Sequence, residues 1–220
     1  MAHRAGASAI GLVSAMPSGP GVIDEATIAA VAAAAPAELD TFLLTSQTDP
    51  EALVAQHQRC RTRTIQLCAA LAPGAHTTLR RALPGVRLVQ VIHVESEANL
   101  AEAITVADAV DALLLDSGRP NAAIPELGGT GRVHDWSIAK RIVESVPVPV
   151  WLAGGLGPHN AQQAINWVRP HGLDICNGVR TNGNLNEGKL QAFAQAIQTA
   201  QKSFSKPLTT PTTDCTDFKE

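Results

Sequence analysis

Three short apolar runs end in residues that can bind an anion or move a proton. Leu113-Leu114-Leu115 leads into Asp116-Ser117, Val150-Trp151-Leu152-Ala153 into Gly154-Gly155, and Leu173-Asp174-Ile175-Cys176 into Asn177-Gly178. Between the first two lies Gly128-Gly129-Thr130-Gly131. Glycines just after strands let backbone approach a ligand closely. Backbone N–H groups at a helix N-terminus make a site for phosphate. Gly128, Gly129, Gly131, Gly154, Gly155, Asn177 and Gly178 therefore form a candidate phosphate environment, against the plainer reading that they only make tight turns. Asp116 follows three leucines, and an apolar setting raises a carboxyl pKa so that it keeps a proton to donate. The plainer alternative is a turn-forming strand-end Asp. Cys68 and His93 also fall near strand ends. Each could act as a base in the right environment, or be a buried thiol and an ordinary surface histidine.

The elements that position these residues alternate. Strand patterns cover Ser8–Val13, Thr41–Leu44, Thr64–Leu67, Val86–Ile92, Ala112–Leu115, Val150–Ala153 and Leu173–Ile175. Helical patterns lie between them: from an Asp24 cap to Ala34, then Asp49–Arg59, Thr77–Leu83, Glu97–Ala107, Trp136–Val143 and Asn160–Val168. A long helix, Glu187–Phe204, follows. This is the grammar of βα units in a parallel α/β sheet. Asp135 reads as the N-cap of the helix after the glycine loop, and Trp136 as a packing residue. One barrel domain is expected over residues 1–206, with 207–220 a polar, Thr-rich disordered tail.

Composition narrows the function. With a net charge of −3 and no basic cluster, a nucleic-acid surface is excluded. No apolar run is long enough to span a bilayer, and the start is not a signal peptide, so the cytoplasm is the expected compartment. Cys60, Cys68, Cys176 and Cys215 form no CxxC pair and read as reduced thiols. No His-x-x-His or His-Glu-x-x-His pattern occurs, so no metal and no cofactor are expected. The partner implied by the glycine clusters is a small phosphorylated molecule; the oligomeric state stays open.

The wording from about Asp111 to Val179 resembles the phosphoribosylanthranilate isomerase family of tryptophan biosynthesis. The resemblance rests on Leu113 to Ser117, Gly128 to Trp136, Val150 to Ile165 and Gly172 to Val179; residues 4–13 also look like the family's first helix end and second strand. It implies a (βα)8 TIM barrel whose catalytic residues stand at the C-terminal ends of strands. It also implies an Amadori rearrangement of a phosphoribosyl aminoaldose to an aminoketose. That reaction needs an acid for the ring oxygen and a base for the C2 proton. By the resemblance, Asp116 is the acid and Asp174, with the glycine loops, belongs to the substrate and phosphate site.

Four departures qualify this. The seven strand patterns include no counterpart of the family's first strand, of Lys-Ile-Cys-Gly type, which carries its catalytic Cys; the chain reads as the barrel with its first strand absent. The family's Ser-Pro-Arg-type loop is here Pro17-Ser18-Gly19-Pro20-Gly21, without the Arg. Its Gln-Leu-His-Gly is here Gln66-Leu67-Cys68-Ala69. Its Asp-x-Ser-Ser-Gly-Val-Glu is here Asp174-Ile175-Cys176-Asn177-Gly178-Val179-Arg180, where Arg180 reads as a solvated charge. Cys68 and His93 are the candidate replacement bases, and little or no isomerase activity is expected of the chain as it starts at Met1, with solubility only if something covers the missing strand's place. The alternatives are a divergent barrel that binds a phosphosugar without this chemistry, or another phosphosugar enzyme such as an epimerase or aldolase. Against the last stands the want of a metal-ligand set and of a strand-end lysine suited to a Schiff base.

Overall fold

The computed structural model describes residues 1–17, 19, 21–127 and 133–204. The expected loop glycines Gly128, Gly129 and Gly131, and the expected tail from 207 to 220, lie outside the described residues.

Seven parallel strands form one curled sheet in sequence order. They are β1 (Ala9–Val13), β2 (Asp40–Thr45), β3 (Thr64–Leu67), β4 (Arg87–His93), β5 (Ala112–Asp116), β6 (Val150–Leu152) and β7 (Gly172–Leu173). Helices α1 (Glu25–Ala34), α2 (Pro50–Cys60), α3 (Ala75–Ala82), α4 (Ala98–Ala107), α5 (Trp136–Ser145) and α6 (Ala161–Val168) connect successive strands. The last helix, α7 (Glu187–Phe204), closes the order. The repeated strand–helix reading of the sequence therefore holds, with boundaries shifted by one or two residues. Among the described residues, the outer edges of β1 and β7 have no strand partner.

The local causes are visible. The Asp24 and Asp49 carboxylates accept the Thr27 and Ala52 N–H groups, each at 2.8 Å, and so cap α1 and α2. Strand residues alternate between two apolar layers, as a parallel sheet covered on both faces requires. Ile65, Leu67, Leu88, Ile92, Leu113, Leu115 and Leu152 pack outward against the helices. Phe42, Cys68, Val89, Val91, Ala112, Leu114 and Ala153 pack inward. Phe42 and Trp151 meet edge to face in this inner layer, ring centroids 6.3 Å apart. At the opposite end from the strand C-termini, Asp40 accepts from Thr64 Oγ1 at 2.9 Å and pairs with Arg87, linking β2, β3 and β4.

One element went unread in the sequence. Beyond β7, β8 (Arg180–Thr181) and β9 (Asn184–Leu185) form an antiparallel hairpin. Its turn, Asn182-Gly183, holds φ of 51° and 78°. Asn-Gly is the sequence signature of such a two-residue turn. Among the described residues no helix is long and apolar enough to cross a membrane.

Candidate active site

The register brings the functional residues to one level. His93 on β4 pairs with Asp116 on β5, Leu115 with Leu152, and Leu152 with Leu173. One residue further along each strand, Asp116, Ala153 and Asp174 stand side by side at the C-terminal rim. A cavity of about 270 Å³ opens there, lined by Asp116, Asp174 and the loops 153–156 and 175–178.

Asp116 is 8% exposed. Burial raises its pKa above the usual carboxylate range. The Ser117 N–H, donating to Oδ1 at 2.7 Å, and His93 oppose that rise in part. Asp174 opens into the lumen beside the unpaired edge of β7, and its side chain is exposed although protein surrounds it at longer range. Those surroundings first, and the Asp116 carboxylate second, push it up to about 6. Because the side chain reaches solvent, desolvation is the weaker part of that rise. The firmer part is repulsion between two carboxylates, which disfavours ionising both.

The two loops form a rim of backbone. Gly154 and Gly155 hold φ of 82° and 61°, which L side chains rarely adopt. A Cβ at Gly154 would stand 2.8 Å from Ser117 Oγ, so this loop rests on the residue after Asp116. Asn160, at the N-cap of α6, braces the loop: its Oδ1 accepts from Gly157 N at 2.8 Å and its Nδ2 donates to Gly155 O at 3.1 Å. The N–H groups of Gly155 and Leu156 have no protein acceptor among the described residues. They are backbone donors in the loop that leads into α6, a kind of concavity that can hold an anion.

The other sequence candidates sit differently. Cys68 is 1% exposed, and burial, with Asp116 and Asp174 adding to it, pushes its thiol up to about 12. It stays protonated at neutral pH and is a poor base. His93 lies 2.9 Å through Nε2 from Cys68 O. A carbonyl only accepts, so Nε2 carries a hydrogen, and the other ring nitrogen is Nδ1. That Nδ1 is buried without a partner among the described residues, and a Cβ on Gly118 would stand 2.2 Å from it. The Gly118 main chain covers it, held by the Arg119–Glu126 bridge. The sequence reading of His93 as a surface residue gives way to this burial, 7% exposed. Arg180 is also not simply solvated: it is half-buried, donates to Gly183 O at 2.8 Å and approaches Cys176. Asp135 caps α5 through Ser137 N at 2.8 Å, and Trp136 packs on the core. Among the described residues no group of three His, Cys, Asp or Glu side chains is placed to hold a metal ion.

The family model for N-(5'-phosphoribosyl)anthranilate (PRA) isomerase matches residues 27–196. The chain belongs to this family. The isomerase of Thermosynechococcus vestitus is 32% identical over 189 residues, covering 86% of this chain and 79% of that one. The isomerase of Haloferax volcanii is 34% identical over 204 residues, covering 90% and 86%. Among solved structures, the Thermus thermophilus phosphoribosyl anthranilate isomerase gives a TM-score of 0.75 at 25% identity, covering 90% of this chain and 91% of that one. The Thermotoga maritima structure gives 0.76 at 21% identity over the same shares, a likeness of fold. These neighbours are (βα)8 barrels, and the seven-stranded sheet corresponds to such a barrel less one strand.

Ser117, Leu156 and Asn160 are site residues that the sequence reading passed over. Asn160 carried a signal, an Asn at a helix start three residues after a glycine. Ser117 and Leu156 act through contacts between loops, which leave no local pattern.

Proposed function

We propose that the protein catalyses the Amadori rearrangement of N-(5-phosphoribosyl)anthranilate to the corresponding 1-deoxyribulose phosphate, a step of tryptophan biosynthesis. The observation that carries this is a cavity holding a buried strand-end acid, Asp116, together with a rim of backbone donors, in a chain of the isomerase family. The phosphate sits on the N–H groups around Gly154–Leu156, with Asn177 and Gly178 closing the other side. Asp116, whose pKa burial raises, gives its proton to the ring oxygen as the C1–O bond breaks and the nitrogen lone pair forms the C1=N bond. Loss of the C2 proton then gives the enolamine, which ketonises. The cytoplasm suits such a biosynthetic step.

A second reading, phosphosugar binding without turnover, draws on the protonated thiol of Cys68 and the covered nitrogen of His93, since neither is set to take the C2 proton. One experiment separates them. Purified protein is mixed with freshly formed phosphoribosylanthranilate and the substrate fluorescence is followed, in parallel with complementation of an isomerase-deficient tryptophan auxotroph. Turnover and growth support the isomerase. Saturable ribose 5-phosphate binding without turnover supports the second reading.

A further inference from the structure

His93 is buried beside the acid, yet neither of its ring nitrogens is open to a substrate. It ends β4 in register with Asp116 at the end of β5. Val91 and Leu114, two residues earlier on each strand, pack into the inner layer. His93 and Asp116 therefore point to the same inner face, side by side. The His93 Nε2 donates to Cys68 O at 2.9 Å, which ties the ring to the chain leaving β3. Its Nδ1 lies under Gly118, where an added Cβ would collide with Nδ1, Cε1 and the Glu126 carbonyl oxygen. The ring thus fills the space between the end of β3 and the turn Asp116-Ser117-Gly118. Beyond that turn, Arg119 and Glu126 pair through both main chain and side chains, which holds it down on the ring.

No partner reaches Nδ1 among the described residues. The polar atom across Gly118 from it is the Glu126 carbonyl oxygen, which accepts from Arg119 N at 2.8 Å and has a second lone pair. A bare Nδ1 finds no donor there, whereas a protonated one faces an acceptor. With a hydrogen on each nitrogen the ring carries a positive charge next to Asp116.

We infer that His93 is the positioning residue of the acid: its ring holds the Asp116 turn in place, and its charge steadies the Asp116 carboxylate once the proton has gone. The role rests on the isomerase reading with Asp116 as acid; the pairing of ring and carboxyl does not. An acid in an apolar setting keeps its proton well but must also release it. The carboxylate that remains is a buried charge, costly unless it is paired and hydrogen-bonded. The Ser117 N–H on Oδ1 meets part of that need, and a neighbouring cation meets more. Burial pushes the Asp116 pKa up and His93 pulls it part of the way back, toward the working pH at which a general acid is most effective. The titratable groups around the ring are Asp116 on β5, Cys68 beyond β3 and the Arg119–Glu126 pair over Gly118, with Asp174 further off across Ala153.

The test compares His93→Gln, His93→Leu and the unaltered protein by carboxyl ¹³C titration of Asp116 and by the pH profile of kcat. His93→Gln keeps an N–H for Cys68 O and loses the charge. Asp116 should then titrate at higher pH than in the unaltered protein. The alkaline fall in kcat, where the acid has lost its proton, should move up with it. At its best pH kcat should drop several-fold, with KM changed little. His93→Leu loses the donor as well and should lose more of kcat than His93→Gln, which the amide partly rescues. An Asp116 titration that stays put in His93→Gln overturns the inference, even if the melting temperature falls. So does a rise in KM in step with the loss of kcat. If His93→Leu does not fold, His93→Gln decides alone. If the unaltered protein turns nothing over while Asp116 shifts in His93→Gln, the pairing holds and the isomerase reading has failed. Turnover without that shift leaves the isomerase reading standing and this inference refuted.

Discussion

Gly178 lies against the carbonyl of Leu156: a Cβ at position 178 would stand 2.0 Å from that oxygen and 3.1 Å from Gly157 Cα. The obstacle is backbone, which cannot swing aside. The loop after β7 therefore touches the loop after β6 only because residue 178 has no side chain, and the rim depends on that contact.

Gly178→Ala should spread the two loops. Overpacking of this kind costs ~1–3 kcal/mol. The expected result is a lower melting temperature and weaker binding of inorganic phosphate and ribose 5-phosphate, with far-UV circular dichroism unchanged. Calorimetric titration reads the affinity. Unchanged affinity would place the phosphate away from this rim.

Asp116→Asn retains shape and most hydrogen bonding but has no acidic proton to deliver. It should lower kcat by ~10²-fold or more, with the affinity for a reduced, unreactive product analogue preserved. A rate equal to the unaltered protein would exclude Asp116 as the acid.

Cys68→Ala and His93→Gln probe the two strand-end candidates that the sequence raised. Cys68→Ala should leave the rate within a few-fold, because the thiol stays protonated. His93→Gln keeps a donor that can reach the Cys68 carbonyl and should likewise stay active. His93→Leu leaves that carbonyl without its donor, a loss of ~1–3 kcal/mol in stability. A fall in kcat of ~10²-fold or more in either Cys68→Ala or His93→Gln, with folding intact, would return that residue to the role of base.

The strand order and Asp116's place at a strand end were legible because both are local. Apolar runs ending in Asp or Gly, followed by helical periodicity, mark βα units without any knowledge of the packing. The Asn182-Gly183 turn was equally local and was overlooked. What the residue pattern did not carry is tertiary. Nothing in the string places Gly154 on Ser117 or Gly178 on Leu156, since those pairs are far apart in sequence. Cys68 and His93 looked alike as strand-end candidates. Only the burial of one, and the Gly118 main chain over the other, tell them apart.

His134 makes the pH dependence of stability testable. The ring is 9% exposed, and neither nitrogen has a partner among the described residues. Burial pushes its pKa down to about 4, with Asp135 pulling slightly the other way. In the unfolded chain a histidine titrates near ~6.5. A depressed folded value means that the unfolded state binds the proton first. The stability it permits is present above pH ~6.5 and is lost as the pH falls toward 4. Between pH 7 and 5 the loss is about 2 kcal/mol, at 1.36 kcal/mol per pKa unit. Asp116 and Asp174, whose folded values are raised, act in the opposite sense: their contribution is present at low pH and fades as the pH rises. The unaltered protein should therefore melt lower at pH 5 than at pH 7, with part of the fall offset by the carboxyl pair. His134→Phe fills the same apolar site without a titrating group. Its melting temperature should be level or rise between pH 7 and 5, and differential scanning fluorimetry across that range checks both curves. A His134→Phe variant that falls in parallel with the unaltered protein would show that His134 is protonated in the folded state and not held neutral by burial.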